Sequence, residues 1–155
     1  MSLHVVNNIS LQNSDLTYLV HMIYINSEHL SKIPNLKHTK IEILKLLKSE
    51  KSQVYFYILN KKIVAYLIGE IITLLNDNRK VFYISYLFTS KHFRNMGFAS
   101  KLINVSENKV KIDNLNGIML TCDTENNNVY DFYTKKGFMP DLILKNYSRY
   151  EILFK

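Results

Sequence analysis

Three consecutive segments rich in β-branched and aromatic residues constrain the fold of this chain more than any other feature. They are VYFYIL (residues 54–59), IVAYLIGEII (63–72) and VFYISYLFT (81–89), and short polar turns separate them at 60–62 and 76–79. Strands joined by such short turns pair as antiparallel neighbours. The sequence therefore predicts a three-stranded antiparallel meander in the middle of the chain.

Segments with helical periodicity lie before the meander. Residues 4–9 read as a short first strand, and the following helix takes Asn13, Ser14 or Asp15 as its N-cap. A second helix begins near His38 and Thr39, after a break at Pro34. The apolar stripes of the two helices are Leu16, Leu19, Val20 and Ile23 in the first and Ile41, Leu44 and Leu47 in the second.

The chain after the meander predicts a strand–helix–strand crossover. A helix over 98–110 places Ala99, Leu102, Ile103, Ser106 and Val110 on one face, and a strand follows at 117–122. This path favours a parallel pair. A last helix is capped by Asn126 or Asn127, turns Val129, Phe132 and Tyr133 inward and ends at Gly137, and a final hairpin divides at Lys145 and Asn146.

The predicted fold is therefore mixed α/β, of the α+β type. A central, twisted and mostly antiparallel sheet of about seven strands is flanked by four helices, in the order β-α-α-β-β-β-α-β-α-β-β. At 155 residues the chain is long enough for one well-packed domain and short for two, so a single domain over residues 1–155 is expected.

The net charge and the cysteine content limit which partners and which cellular environment the sequence predicts. The formal net charge is +7, but the lysines are scattered, whereas nucleic-acid binders concentrate basic residues on one face. The one cysteine, Cys122, lies in an apolar run, which is typical of a buried structural thiol. No segment resembles a signal peptide or a membrane span, so a soluble, intracellular, cytoplasmic protein is expected.

The stretch HFRNMGFASKL (92–102) ends a strand and begins a helix through a small basic loop. The first N–H groups of a helix lack intrahelical partners and lie at the positive end of the helix dipole, so an anion such as phosphate fits there. Gly97 allows close approach, and Arg94 adds a charged donor fork. The loop lacks the lysine of a Walker loop and the three glycines of a dinucleotide loop.

Two motifs in this chain resemble those of the GNAT superfamily of N-acetyltransferases. The loop matches the family pattern Arg/Gln-x-x-Gly-x-Gly/Ala through Arg94, Gly97 and Ala99. The second family element is matched by Asn126, Tyr133, Lys135, Gly137 and Phe138. The element order derived above is also that of the family and covers essentially the whole chain.

The resemblance implies a site for acetyl-coenzyme A as co-substrate, with no metal. In the family, the loop cradles the coenzyme pyrophosphate, the end of the preceding strand pairs with the pantetheine arm, and the last helix contributes a tyrosine as general acid. The implied coenzyme-binding residues are Leu87, Phe88, Thr89, Arg94, Asn95, Met96, Gly97, Phe98, Ala99, Ser100, Asn126 and Tyr133. Tyr133 is the implied general acid, and a phenol suits that role because its pKa of about 10 is close to that of a thiol.

The general base stays open at this point. Many relatives carry glutamate at the position of Tyr86 or of Thr121, and neither residue here is a ready base. Glu70, which interrupts an apolar strand, is the first candidate, beside Asp123, His92 and a water relay. A tyrosine, Tyr86, serving as the base is a further alternative.

The acceptor also stays open. The family lines the acceptor side with the connection of the first two helices, residues 27–39, and with the last hairpin near 145–150.

The leading hypothesis is an acetyl-coenzyme A dependent N-acetyltransferase acting on a primary amine of a small molecule, peptide or protein by direct attack. The alternatives are a non-catalytic acyl-coenzyme A binding module and a basic nucleic-acid-binding domain, the latter disfavoured by the scattered charge. Neither a membrane nor a metal is expected to take part, and the protein is expected to be a monomer or a homodimer.

Overall fold

The structure is a computed structural model that describes residues 2–6, 13–30, 39–144 and 150–155. These residues form β1 (Ser2–Val6), α1 (Asn13–Leu30), α2 (Lys40–Lys48), β2 (Ser52–Leu59), β3 (Lys62–Thr73), β4 (Lys80–Thr89), α3 (Phe98–Ile112), β5 (Gly117–Asp123), α4 (Asn127–Lys135), β6 (Met139–Pro140) and β7 (Tyr150–Phe154). A single 3₁₀ turn, Lys91–Phe93, follows β4. The predicted order of strands and helices is confirmed.

The strands form one mixed sheet in the order β1-β2-β3-β4-β5-β7-β6. β4 and β5 are parallel, whereas the pairs β1–β2, β5–β7 and β6–β7 are antiparallel. The predicted fold class, a mixed and mostly antiparallel sheet of about seven strands with four helices, is therefore confirmed. Six of the described strands have five residues or more, and β6 has only two.

The chain forms two compact units. The first comprises residues 1–69 and 86–98, and the second comprises residues 70–85 and 99–155. Residues of both β3 and β4 belong to each unit. No helix in the described part of the chain is long and apolar enough to span a membrane.

The first unit contains an apolar core to which α1, α2 and the meander contribute. Its buried members are Leu19, Val20, Met22, Ile23, Ile43, Leu47, Val54, Phe56, Ile63, Tyr66 and Ile68. The predicted stripe of α1 is thus confirmed, but that of α2 is shifted. Ile43 is buried while Ile41 is 69% exposed, because Ile43 and Leu47 are four residues apart and share the inward face.

The starts of α1 and α2 test the predicted caps. Asn13, Ser14 and Asp15 lie inside α1, so none of them is its N-cap, and the capping position lies outside the described residues. At α2, the Thr39 hydroxyl accepts a hydrogen bond from the Glu42 N–H, and the Glu42 carboxylate accepts one from the Thr39 N–H. This reciprocal capping box fixes the start of α2 close to the predicted residue. Pro34 and His38 lie outside the described residues.

The turn between β2 and β3 uses two residues with positive φ. Asn60 has φ +50° and Lys61 has φ +60°. Two consecutive left-handed residues characterise the type I′ hairpin turn, whose twist matches that of the strands it joins. The predicted turn at 60–62 is confirmed.

The second unit contains the predicted parallel crossover through α3. The β4–β5 register runs from Val81↔Gly117 to Ile84↔Leu120. Leu102, Ile103 and Ser106 of α3 are buried as predicted. The Ser106 hydroxyl donates to the Leu102 carbonyl at 3.2 Å, which satisfies a polar group on an otherwise apolar face.

The end of the chain departs from the predicted final hairpin. β6 pairs antiparallel with β7, as a hairpin requires, but it stops at Pro140. The Asp141 N–H still donates to the Ile152 carbonyl of β7 at 2.8 Å, while its carboxylate receives hydrogen bonds from the Arg79 guanidinium at 2.7 and 2.9 Å and from the Leu144 N–H at 2.7 Å. The predicted dividing point at Lys145 and Asn146 lies outside the described residues.

Candidate active site

The second half of β4 continues beyond the ladder that β4 forms with β5. The backbone groups on that edge of β4 therefore lie outside the ladder. That ladder ends at Ile84, whereas the strand extends to Thr89. The Ser90 N–H donates to the Val64 carbonyl of β3 at 2.8 Å. Because the carbonyl of a trans peptide is opposite its N–H, the Thr89 carbonyl points away from β3, and it accepts a hydrogen bond from Arg94 Nε at 3.1 Å.

Thr89 also carries a buried polar atom without a partner. Its hydroxyl Oγ1 is fully shielded and forms no hydrogen bond with any residue that the structure describes. A buried unsatisfied hydroxyl costs about 1–3 kcal/mol, so such groups are usually paired by a ligand or water. The end of β4 is thus prepared for a polar ligand group.

The turn after β4 is exposed to solvent over residues 94–97. Asn95 has φ +62° and Gly97 has φ +83°, so the chain twice adopts the left-handed conformation just before α3 begins at Phe98. A Cβ added to Gly97 would meet no atom within 4 Å. The turn is therefore open on the side where Gly97 lacks a side chain, and alternating conformations of this kind form concave anion sites.

Phe98 anchors this turn rather than reaching the solvent. It is 3% exposed, and its ring centroid lies 5.5 Å from that of Tyr57 and 6.4 Å from that of Phe93. Met96, by contrast, is 56% exposed. Of the predicted loop residues, Phe98 can therefore contribute to a ligand only through its backbone. Ala99 and Ser100 follow in the first turn of α3 and are half-buried.

Asn126 and Tyr133 lie at opposite ends of α4 in the second unit. The Asn126 amide oxygen accepts a hydrogen bond from the Val129 N–H at 3.4 Å, which confirms Asn126 as the N-cap and leaves its NH₂ group for other contacts. Gly137, with φ +90°, closes the helix as predicted. Val129 is exposed rather than inward-facing, because the position falls on the solvent side of the first helical turn.

Tyr133 is 8% exposed, and its ring packs edge-on against Phe132 and Phe138. Burial raises the pKa of its phenol, and the neighbouring Cys122 thiol raises that pKa further. The phenol is therefore protonated throughout the neutral range, and it is a weaker acid than a free phenol, whose pKa of about 10 is close to that of a thiol. The apolar run around Cys122 indicates only a structural role for this thiol, and its proximity to Tyr133 follows from the fold.

The candidates for a general base are dispersed. Glu70 is half-buried in β3, which is flanked by β2 and β4, so it does not lie on an edge strand. It forms no hydrogen bond or ion pair with the described residues. The Asp123 carboxylate accepts a hydrogen bond from the Glu125 N–H, and His92 is exposed. Thr121 is engaged with the Tyr83 hydroxyl at 2.9 Å.

The structure therefore groups the predicted site residues by unit. Leu87, Phe88, Thr89 and the loop from Arg94 to Phe98 lie together in the first unit, and Glu70, Ala99, Ser100, Asn126 and Tyr133 belong to the second. In the described residues, no group of three or more His, Cys, Asp or Glu side chains is arranged to hold a metal ion.

A comparison with family models decides which family has this arrangement. The model described as "Acetyltransferase (GNAT) family" matches residues 17–138, most of the chain. The chain belongs to the GNAT acetyltransferase family. The resemblance inferred from the two motifs is thus confirmed, and no curated protein sequence matches the chain.

Solved structures of GNAT acetyltransferases share the fold of this GNAT protein. It is similar to PaiA N-acetyltransferase from Thermoplasma acidophilum in complex with coenzyme A, at 15% identity and TM-score 0.73, covering 100% of this chain and 99% of that one. Naa50 from Arabidopsis thaliana, bound to the bisubstrate analogue CoA-Ac-MVNAL, has 18% identity, TM-score 0.65 and coverage of 100% and 99%. The aminoglycoside acetyltransferase meta-AAC0020 from an uncultured soil sample has 16% identity, TM-score 0.69 and 95% coverage of both chains.

The residues of this GNAT acetyltransferase fit a coenzyme of the acetyl-coenzyme A type. The orphaned Thr89 hydroxyl, the open side of Gly97 and the Arg94 guanidinium supply donors for phosphate and amide groups. The edge of β4 beyond the β4–β5 ladder offers the backbone groups of Leu87 and the Thr89 N–H to an extended arm, whereas the Thr89 carbonyl already accepts from Arg94. The first unit thus offers donors and strand-edge groups of the kind that the predicted coenzyme would need.

Proposed function

We propose that this GNAT acetyltransferase transfers an acetyl group from acetyl-coenzyme A to a primary amine of a small molecule, peptide or protein. The observation that carries the proposal is the end of β4, where an unpaired edge, an orphaned Thr89 hydroxyl and the open Asn95–Gly97 turn occur together. Solved structures with the same fold include enzymes named for aminoglycosides and one bound to a coenzyme–peptide analogue. Those names support both acceptor classes.

The loop residues would hold the phosphates. Amides of Asn95, Met96, Gly97 and the first turn of α3, through Phe98, Ala99 and Ser100, present N–H groups at the positive end of the helix dipole. Arg94 adds a permanent positive charge to this turn. Its Nε is already held by the hydrogen bond to the Thr89 carbonyl. The Asn126 NH₂ group is the proposed contact from α4.

The edge of β4 would hold the thioester arm. Consecutive residues of a strand direct their backbone groups to opposite edges, so Leu87 and Thr89 face away from β3 while Phe88 faces it. The Thr89 N–H is therefore favoured over that of Phe88 as the donor to the thioester carbonyl oxygen. Phe88 would contribute through packing, since its ring stacks on Tyr66.

Bound acetyl-coenzyme A supplies the acetyl group as an activated thioester. The amine nitrogen bonds to the acetyl carbon as the carbon–sulfur bond breaks, and the sulfur departs with the bonding electron pair. Tyr133 donates its phenolic proton to that sulfur, and solvent restores the proton. The nitrogen then loses its extra proton to solvent or to Glu70, the proposed general base.

Thiol release with a panel of primary amines tests the proposal. Acetyl-coenzyme A should bind, and free thiol should appear only in the presence of an acceptor. Binding without turnover on any amine would instead indicate the non-catalytic coenzyme-binding module. Strong, salt-dependent binding to single-stranded nucleic acid without coenzyme binding would favour the nucleic-acid alternative. The single domain over 1–155, the cytoplasmic location and the monomeric or homodimeric state stay predictions.

A further inference from the structure

A groove of about 520 Å³ lies between α1 and α2 in the first unit. Its apolar floor consists of Leu16 and Val20 from α1 and of Ile41 and Leu44 from α2. Leu16 and Val20 are one helical turn apart, so they lie on the same face of α1, and Ile41 and Leu44 share a face of α2 in the same way. Each helix therefore contributes to one continuous apolar surface.

Ile41 is the most exposed residue of this floor. It is 69% exposed, whereas Val20 is buried and Leu16 and Leu44 are half-buried. Because Ile41 continues the apolar surface of the groove, it is part of a patch rather than an isolated exposed side chain. Contiguous exposed apolar surface of this kind is typical of an interaction site.

Positive charge lines the same groove. Lys40 and Lys48 are the first and last residues of α2, with Leu44 midway between them, and this row extends over about 12 Å of the helix. The Lys40 ammonium lies 5.2 Å from the ring centroid of Tyr24, which holds one end of the row against α1. His21 of α1 also lines the groove. The apolar floor is thus bordered by a cation at each end of α2.

The acidic residues described on and just after α2 do not line the groove. Glu42 accepts the Thr39 N–H in the capping box, and Glu50 follows the end of α2. The remaining charged residue of α2, Lys45, is positive and lies outside the lining. None of the described side chains that line the groove is acidic. The charge of the lining therefore favours an anionic partner.

The exposure of the lining distinguishes a small ligand from a protein partner. Thr17, His21, Lys40, Ile41 and Lys48 are all exposed, so the groove is shallow and open. Small-molecule sites bury most of the surface of their ligand, which a shallow groove cannot do. A partner helix covers such a groove with one apolar face. A second copy of this chain is disfavoured because its net charge is +7.

We propose that the groove between α1 and α2 docks an acidic amphipathic helix of a partner protein. The apolar face of that helix covers Ile41 and Leu44. Its acidic side chains, about two helical turns apart, pair with Lys40 and Lys48. The inference goes beyond the proposed acetyl transfer and does not depend on it, because no residue that lines the groove takes part in the proposed coenzyme site or reaction.

Fluorescence anisotropy with a labelled helical peptide of about 15 residues tests the proposal. The probe has leucines along one face and two glutamates beside them, about two helical turns apart. One control peptide has lysine in place of both glutamates, and another has serine in place of the leucines. The acidic probe should bind about tenfold more tightly than either control, and its binding should weaken as salt is added.

Two variants remove the two features of the groove one at a time. Ile41→Ser and Lys48→Glu should each weaken probe binding about tenfold, because the first removes an apolar anchor and the second reverses a paired charge. Ile112→Ser and Lys111→Glu are the matched controls, since both residues are exposed at the end of α3 in the second unit. All four positions are exposed, so thermal unfolding and acetyl-coenzyme A binding should stay as in the parent protein.

Three results would overturn the inference directly: no binding of the acidic probe, equal binding of the lysine peptide, or equal losses in the groove and control variants. Binding of a long-chain fatty acid that requires Ile41, without binding of the probe, would assign the groove to a small amphiphile instead. A dimer of the parent protein that Ile41→Ser dissociates in sedimentation would assign it to a second copy. Thiol release with amines is measured separately, so failure of this inference is distinguishable from failure of the proposed function.

Discussion

Arg94 Nε donates a hydrogen bond of 3.1 Å to the carbonyl oxygen of Thr89, five residues earlier in the chain. The bond joins the end of β4 to the turn that leads into α3. It fixes the guanidinium at its Nε position, so that the rest of the planar donor fork is oriented by the strand itself. The proposed thioester edge and the proposed phosphate turn are thus coupled through one side chain.

Replacing Arg94 by lysine should weaken acetyl-coenzyme A binding about tenfold, because lysine keeps the charge but loses both the fork and the Nε bond. Isothermal titration calorimetry at low and moderate salt would measure the change. Lys91→Ala is the control, since it removes a positive charge from the exposed 3₁₀ turn nearby. Equal losses in the two variants would mean that only net charge matters.

Gly97→Ala should weaken coenzyme binding at least tenfold while costing the free protein only about 1 kcal/mol. The stability cost comes from φ +83°, where an alanine Cβ is strained, since no protein atom lies within 4 Å of the added carbon. Gly137→Ala is a matched control with φ +90°, at a position whose added carbon would meet only the Lys155 side chain. Thermal unfolding and coenzyme titration of both variants separate strain from ligand contact. Similar coenzyme affinity in the two would contradict the placement of the phosphates.

Tyr133→Phe should lower kcat by about 100-fold and leave the affinity for acetyl-coenzyme A within a few-fold of the original. The raised pKa of Tyr133 means that the acid form persists through the neutral and mildly alkaline range. The pH profile of kcat should therefore show no descending limb from Tyr133 between pH 7 and pH 9. A limb that is present in the parent protein and absent in the variant would contradict this assignment.

Asp141→Asn should destabilise the protein by about 1.5–3 kcal/mol at pH 7, because it removes the charge-assisted hydrogen bonds with Arg79, which then keeps its ion pair with Asp77. The hydrogen bonds from Arg79 lower the pKa of the Asp141 carboxyl below its usual value. Because the pKa is lower in the folded state, the carboxylate adds stability at pH values above its unfolded-state pKa of about 3.9. This stability is lost as the pH falls through the folded-state pKa. Urea unfolding should thus show a large difference between parent and variant at pH 7 that shrinks below pH 4. A difference that is constant with pH would contradict the ion pair as its source.

The order of strands and helices was predictable because each element carries a local signal. Alternating β-branched and aromatic runs define the meander, and the capping box at Thr39 and Glu42 and the glycine at Gly137 define helix ends. The signal failed where an end depends on a distant partner. β6 has only two residues, and the residue that follows it, Asp141, binds Arg79, 62 positions away in the sequence, a contact that no local pattern contains.

The site shows the same division between local and distant information. The sequence by itself determined the family and pointed to the proposed anion-binding turn from Arg94 to Ala99 and the proposed acid Tyr133, because these depend on residue types at fixed short spacings. Only the tertiary structure decided that the Thr89 and Tyr66 hydroxyls are buried with no hydrogen-bond partner among the described residues and that Phe98 is an anchor of the core. Burial and hydrogen bonding are set by side chains that other elements bring against a residue. The sequence of a strand therefore does not show whether its polar atoms have protein partners or are left for a ligand.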